Sequence, residues 1–315
     1  MKRLSIILII IALASCSQQG AMLSNQESAQ QDSNVLRIAV LPILQSLPIY
    51  YAEETGMMES TNPKMRLMRY NALMDIDTAV INQRVDIALT DIIKAIQLCE
   101  RKTSVASIWS IYEPMSLVAL KDKRVSKVKQ MKEKMIAISR LSISDYWCDK
   151  MVDTSEVSHQ DFYRPQVNDI TLRTDMLRTG LIDAAILPEP YAQWMVSEGH
   201  KKLKETSQGN VQMGTWIIRR DSIGNSICEA QVKQFIDIYK QAVKEINEGN
   251  NPGIVKEILS QEYGIPTFVV DSLKLPVISE GRPITQKEID EAAKWLTERE
   301  REPKKTSLDS INYKL

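Results

Sequence analysis

Histidine is nearly absent: the 315 residues include only His159 and His200. They stand far apart, and neither has a cysteine or an acidic cluster beside it at ligand spacing, so a zinc or copper site is hard to build from them. The same scarcity weakens the Ser-His and Cys-His hydrolase arrangements. Cysteine is scarce too, with Cys16 at the start of the chain and Cys99, Cys148 and Cys228 in its body. An odd number in the body argues against a complete disulfide framework, although any one pair could still form. Small buried apolar side chains are the simpler role for them. Excess charge of either sign is also missing: 40 basic residues stand against 40 acidic ones. Without a basic stripe, nucleic acid is not the expected partner. No internal repeat is visible.

What is present begins with a leader. Lys2 and Arg3 precede an apolar run over 4–14 that ends in Leu13-Ala14-Ser15-Cys16. A basic start, a short apolar stretch and small residues before the cut mark a secretory signal. The run is about half of the ~20 residues that a membrane-spanning helix needs. Cysteine directly after Leu-Ala-Ser resembles a bacterial lipobox, in which the Cys16 thiol is lipidated and becomes the first residue; the alternative is an ordinary signal peptide, 1–15, followed by a cysteine. Residues 17–34 are rich in Ser, Gln, Asn and Asp without periodicity, too polar to fold alone. As a flexible coil this tether would span roughly 23 Å.

From Val35 onward, apolar runs alternate with amphipathic segments, which is the pattern of an α/β protein with enough chain for two lobes. Strands are expected over 36–41, 65–70, 86–89, 105–111 and 115–120, with helices over 48–55, closed by Gly56, and 72–82. Thr90 and Asp91 can cap a helix whose apolar face holds Ile92, Ala95, Ile96 and Cys99. The chain is expected to leave the first lobe at Tyr112-Glu113-Pro114. In the second lobe, 135–139 and 184–187 read as strands and 145–152 as a helix. Asn168 is placed to cap a helix that stops at Gly180. Pro188-Glu189-Pro190-Tyr191 opens another helix, and 213–219 returns to the first lobe. Three helical segments follow. One buries Val232, Phe235, Ile236, Tyr239, Ala242, Val243 and Ile246, and the last opens on the capping box Thr285–Glu288. After Glu298 the ending is charged and polar, the composition of a frayed terminus. The expected division is leader 1–15, tether 16–34, lobe 1 over 35–113 plus 214–315, and lobe 2 over 114–213.

Several phrases carry a resemblance. The opening strand, the loop from Pro42 to Pro48, and Tyr51-Ala52-Glu53-Glu54-Thr55-Gly56-Met57-Met58 resemble the start of the nitrate/sulfonate/thiamine-precursor group of periplasmic binding proteins, the NMT1-like proteins. Asn82-Gln83-Arg84-Val85-Asp86-Ile87-Ala88 resembles that group's helix-to-strand step, and 177–191 resembles the same step in the second lobe. Arg84 departs from the pattern, standing where a small residue, usually glycine, is expected. The resemblance implies a type II periplasmic-binding-protein fold: two α/β lobes, an interlobe cleft and two hinge crossovers. It also implies a monomer that passes a small solute to an ABC permease, with no cofactor, metal or catalytic residue.

In open α/β sheets a ligand sits beyond the carboxyl ends of the strands, against helix N-termini. That rule selects Gln45, Ser46, Asn71, Thr90 and Asp91 from the first lobe. From the second it selects Ser139, Arg140, Ser142, Ser144, Asp145, Asn168, Glu189 and Tyr191. Trp109, Tyr112 and Trp216 lie near the crossovers, where an aromatic face could stack on a flat ligand. Each has a plainer role as well. Asp91, Ser144 and Asn168 suit helix caps, Asp145 and Glu189 suit the first turn of a helix, Arg140 suits a solvated surface, and the two tryptophans fall within strand patterns that favour core packing. Asp91, Asp145 and Glu189 against Arg140 make a mixed or acidic cleft, which suits a neutral or cationic nitrogen-bearing solute such as an amine or a pyrimidine-like ring better than a bare anion.

Three functions fit these residues. The first is a lipid-anchored solute-binding protein of the bacterial envelope, facing the periplasm or the outside. The second is a surface lipoprotein that uses the scaffold to bind a protein partner. The third is an enzyme of pyrimidine or menaquinone type on the same fold. An export signal and scattered cysteines weigh against the third.

Overall fold

The computed structural model describes residues 35–300 and Ile311, apart from 124, 153–156, 159, 208, 210 and 223–228. Cys16 with the leader and tether, His159 and Cys228 lie outside the described residues. Strand β1 (Val35–Val40) leads to helix α1 (Leu47–Glu54), β2 (Lys64–Arg69) to α2 (Leu73–Ile81), and β3 (Ile87–Asp91) to α3 (Ile92–Glu100). Then come β4 (Val105–Ile111), β5 (Met115–Ala119) and the two-residue β6 (Ile136–Ala137). Helices α4 (Ile143–Val152) and α5 (Ile170–Arg178), strand β7 (Ala184–Pro188), helix α6 (Tyr191–Ser197) and strands β8 (Lys201–Glu205) and β9 (Gly214–Arg219) follow. Helices α7 (Glu229–Asn247), α8 (Pro252–Gln261), α9 (Thr267–Val270) and α10 (Gln286–Glu300) complete the chain.

Two sheets carry the two lobes, in the orders β2-β1-β3-β9-β4 and β6-β7-β5-β8. In the first, β1 runs parallel to β2 and β3, while β9 enters antiparallel between β3 and β4. That antiparallel entry is what a strand arriving from the other lobe requires. Strands β3, β4, β5, β7 and β9 are buried along their whole length, so they read as continuous apolar runs rather than alternating ones. The edge strands differ. Lys64, Arg66 and Arg69 on β2 and the Lys-Lys-Leu-Lys-Glu run of β8 put charge on the free edges, which blocks further pairing. Strand β8 was not expected, because it has no apolar alternation to reveal it.

The two crossings of the chain between sheets lie side by side. The Tyr112 hydroxyl donates to the Thr206 carbonyl (2.9 Å), and the Met115 amide donates to Thr206 Oγ1 (3.0 Å). Helix α10 packs against α3 and reaches α4. Trp295 Nε1 donates to Asp149 Oδ2 (2.7 Å), and Arg299 pairs with Asp145 at 2.9 Å. No described helix is long and apolar enough to cross a membrane.

Four local expectations are corrected. Helix α5 is capped by Asp169, whose carboxylate accepts from Leu172 N (2.8 Å), and not by Asn168. Arg84 does not have to imitate glycine, because Gln83 one residue earlier takes the left-handed turn (φ 57°) that closes α2. The C-terminal part holds four helices rather than three, since α9 is a separate single turn. Ile238 is the buried isoleucine of α7, while Ile236 and Ile246 are only partly buried.

Candidate functional site

One cavity is walled by both sheets at the carboxyl ends of their strands, as the crevice rule requires. Its space is about 410 Å³, open mouth included. The first lobe contributes Leu41 and Ile43 after β1, Leu73 on α2, and Leu89, Thr90 and Asp91 at the end of β3. The second contributes Ser139, Ser142, Ile143 and Ser144 around the start of α4, Asn168, Ile170 and Arg173 on and before α5, and Pro188 at the end of β7. Glu113 and Met115 line it from the first crossover.

Asp91 fastens the two lobes together. Its Oδ1 accepts from Lys94 N (2.8 Å), capping α3, while its Oδ2 accepts from Ile143 N (2.9 Å) at the start of α4. Burial pushes this carboxyl up to about 6, against the pull of those two amides and of Lys94. The Ile170 amide also crosses between lobes, donating to the Asn71 carbonyl at 3.0 Å. Around α4 the serines satisfy one another. Ser144 Oγ accepts from Ser139 N (2.9 Å), and Ser142 Oγ donates to the Ser139 carbonyl (2.7 Å). Ser139 Oγ donates to Asn168 Oδ1 (3.1 Å).

Glu113 and Arg173 are the charged groups that sequence reasoning missed. Glu113 is 8% exposed and Arg173 2%. Burial pushes the Glu113 carboxyl up to about 8, with Asp91 adding to the rise and Arg173 opposing it. Burial brings the Arg173 guanidinium down to about 10, partly offset by Glu113 and Asp169. A signal for Arg173 existed: it falls with Ile170 and Leu177 at helical spacing, on the face that should be apolar.

Six of the expected residues line this cavity: Thr90, Asp91, Ser139, Ser142, Ser144 and Asn168. The others lie elsewhere, for identifiable reasons. Trp109 and Trp216 pack under α7, with ring centroids 5.7 and 5.2 Å from Phe235, because their strands are covered on both faces. Tyr191 is fully buried and its hydroxyl donates to the Tyr263 carbonyl (2.9 Å). The Glu189 carboxylate accepts from Gln193 N (3.1 Å) in the first turn of α6. Burial raises its pKa, against the opposing pull of that amide. Ser46 Oγ accepts from Leu41 N (3.2 Å), and Gln45 Nε2 donates to the Tyr112 carbonyl, so both brace the loop behind the cavity wall. Asn71 is exposed and reaches across with its carbonyl alone. Arg140 and Asp145 border a second cavity, open to solvent, with Arg164 and Arg299, where Asp145 is paired to both of those arginines.

Among the described residues the cavity walls hold neither histidine nor cysteine, and Cys99 and Cys148 are free thiols. No group of three or more described His, Cys, Asp or Glu side chains is arranged to hold a metal ion. The cavity wall is made of apolar side chains, hydroxyls and a few buried charges.

Residues 44–213 match the family model described as NMT1/THI5 like. Among solved structures, the chain is similar to the alkanesulfonate-binding protein SsuA from Xanthomonas axonopodis pv. citri bound to MOPS. That match has a TM-score of 0.74 at 16% identity and covers 88% of this chain and 97% of that one. The periplasmic aliphatic sulphonate binding protein SsuA from Escherichia coli gives 0.70 at 15%, covering 87% and 95%. The periplasmic nitrate-binding protein NrtA from Synechocystis PCC 6803 gives 0.70 at 13%, covering 88% and 86%. At these identities the likeness is one of fold. No curated protein sequence matches the chain.

Proposed function

The chain belongs to the NMT1/THI5-like family, and from that premise we propose that it is the solute-binding protein of an ABC importer. One observation carries the reading: a single cavity at the strand ends, walled by both lobes, into which buried charged groups face. A solute there would touch both lobes at once, so only a fitting molecule completes the closed form. The hinge of that closure is the adjacent pair of crossings that Tyr112 and Met115 tie to Thr206. The lobes it joins are 35–113 with 214–315, and 114–213. Bond-making chemistry has no part in this function; capture, closure and delivery to the permease are the whole of it.

The leader fits the same role. Lipidation of Cys16 would anchor a monomer on the outer side of a bacterial membrane, and the tether over 17–34 would leave the body free to reach its permease. The solute is small and nitrogen-bearing. With both indoles packed in the core, a flat ring stacked between aromatics loses its support.

The test is a thermal-shift screen of the full-length protein against amines, amino acids, pyrimidines, sulfonates and nitrate, beside native mass spectrometry of the protein as purified. A ligand at a hundred times its dissociation constant should add about 2.7 kcal/mol to stability. A compound class that raises the melting temperature supports the reading. Failure of every class, with no small molecule carried through purification, overturns it.

A further inference from the structure

We infer that the cavity recognises a solute with two unlike ends: a protonated nitrogen that docks on Glu113 and a carboxylate that docks on Arg173. The inference rests on the solute-binding reading and names the ligand class of that same site.

Three polar groups at the cavity wall lack a hydrogen-bond partner among the described residues. The Glu113 carboxyl, 8% exposed, has neither a hydrogen bond nor an ion pair with any described residue. Arg173 Nε has no acceptor, although Nη1 donates to the Val167 carbonyl (3.2 Å). Thr90 Oγ1 has no partner either. Polar groups left unpaired in a cavity wall cost stability, and a bound molecule that pairs with them recovers it. Leu41, Ile43, Leu89 and Met115 supply the apolar walls around them.

A bare oxyanion finds no such welcome. Helix N-termini are its usual seat, but several amides around the starts of α4 and α5 already have acceptors. At α4, Ile143 N donates to Asp91, Leu141 N to Asp145 Oδ2 (3.1 Å) and Ser139 N to Ser144 Oγ. At α5, Leu172 N donates to Asp169 and Ile170 N to the Asn71 carbonyl. Two carboxyl groups, Asp91 and Glu113, stand against the one guanidinium of Arg173. A nitrogen cation suits the first pair and a carboxylate suits the arginine.

The two-ended solute also has a protonic signature. The charged groups facing Glu113 are Asp91 from the end of β3 and Arg173 from α5. With burial holding the carboxyl up to about 8, it is mostly protonated at pH 7. An ammonium docking there favours the carboxylate, so Glu113–COOH and R–NH₃⁺ become a carboxylate–ammonium pair and one proton passes to the buffer.

The test uses the full-length protein with β-alanine, γ-aminobutyrate and 5-aminovalerate as two-ended probes, and propylamine, propanesulfonate and nitrate as single-ended ones. Titration calorimetry at pH 7 in phosphate and in Tris counts protons. The expected result is tightest binding by one of the two-ended probes, with close to one proton released. In Glu113→Gln, with its fold checked by circular dichroism, release falls to near zero and affinity drops roughly tenfold to a hundredfold; Arg173→Gln lowers affinity similarly. Tighter binding of nitrate or propanesulfonate than of every two-ended probe overturns the inference and leaves the solute-binding reading standing. Binding with unchanged proton release in Glu113→Gln also overturns it. If no probe binds, native mass spectrometry decides: a carried molecule without a nitrogen cation overturns the inference alone, and no carried molecule overturns both readings.

Discussion

Glu113 is a carboxyl whose folded pKa, about 8, lies above its unfolded value, so the folded protein holds its proton more tightly. Its contribution to stability is therefore full below the ordinary carboxylate range and is lost as pH rises toward 8, the reverse of a salt-bridged acid. Glutamine keeps the shape and cannot ionise. The unfolding free energy of Glu113→Gln relative to wild type should grow by up to about 4 kcal/mol between pH 5 and pH 9. Urea titrations across that range read it directly, and a difference independent of pH would mean that the carboxyl is already ionised at neutrality. This residue is hard to single out from sequence: a glutamate between tyrosine and proline in a three-residue link reads as a solvated turn. Thr90, Asp91 and the serines before α4 were legible because strand-end loops have a recognisable chemistry. The tryptophans misled for the opposite reason, since residue type alone does not say which face of a doubly covered strand a side chain takes.

At the scale of elements, the segment before α10 shows how closely backbone is fitted to core. Gly281 has φ +82°, and a Cβ there would lie 2.1 Å from Trp109 Cδ1. Trp109 cannot retreat, because Phe235 and Tyr239 of α7 pack against it at 5.7 and 5.3 Å. The next residue pairs with β4, Ser110 N donating to the Arg282 carbonyl at 2.8 Å, so the backbone is held too. Gly281→Ala should cost about 2–4 kcal/mol, combining overpacking with a strained left-handed residue. Gly249→Ala, also at positive φ but with nothing within 4 Å of its Cβ, should cost less. Equal losses of melting temperature in the two variants would show that Trp109 yields freely. Apolar runs exposed most elements in the sequence, from β1 to α7. The exceptions were β8, written in lysines, and the cap of α5, where neighbouring Asn168 and Asp169 offer the same chemistry and only the backbone chooses between them.

At the scale of the molecule, the order of strands and helices was enough to anticipate two lobes, but not how tightly they meet. Asp91 decides much of that contact, since its two oxygens cap a helix from each lobe. Asparagine in its place keeps one acceptor and turns an N–H toward the other amide, so one of the two bonds is lost and a donor opposes a donor. Losing a charge-assisted bond of this kind costs about 1.5–3 kcal/mol. Because the bond to Ile143 spans the cleft, the loss favours open molecules rather than unfolded ones. Solute affinity then falls in proportion to the closed fraction, on the order of tenfold or more. Small-angle X-ray scattering should give Asp91→Asn a larger radius of gyration than wild type, and a saturating solute should bring the two together by supplying the contacts that the side chain no longer makes. If the variant scatters like wild type without solute, Asp91 is a cap for α3 alone and the lobes are held by the Asn71–Ile170 bond and by α10, whose Trp295 and Arg299 grip α4 from a segment that follows the return strand.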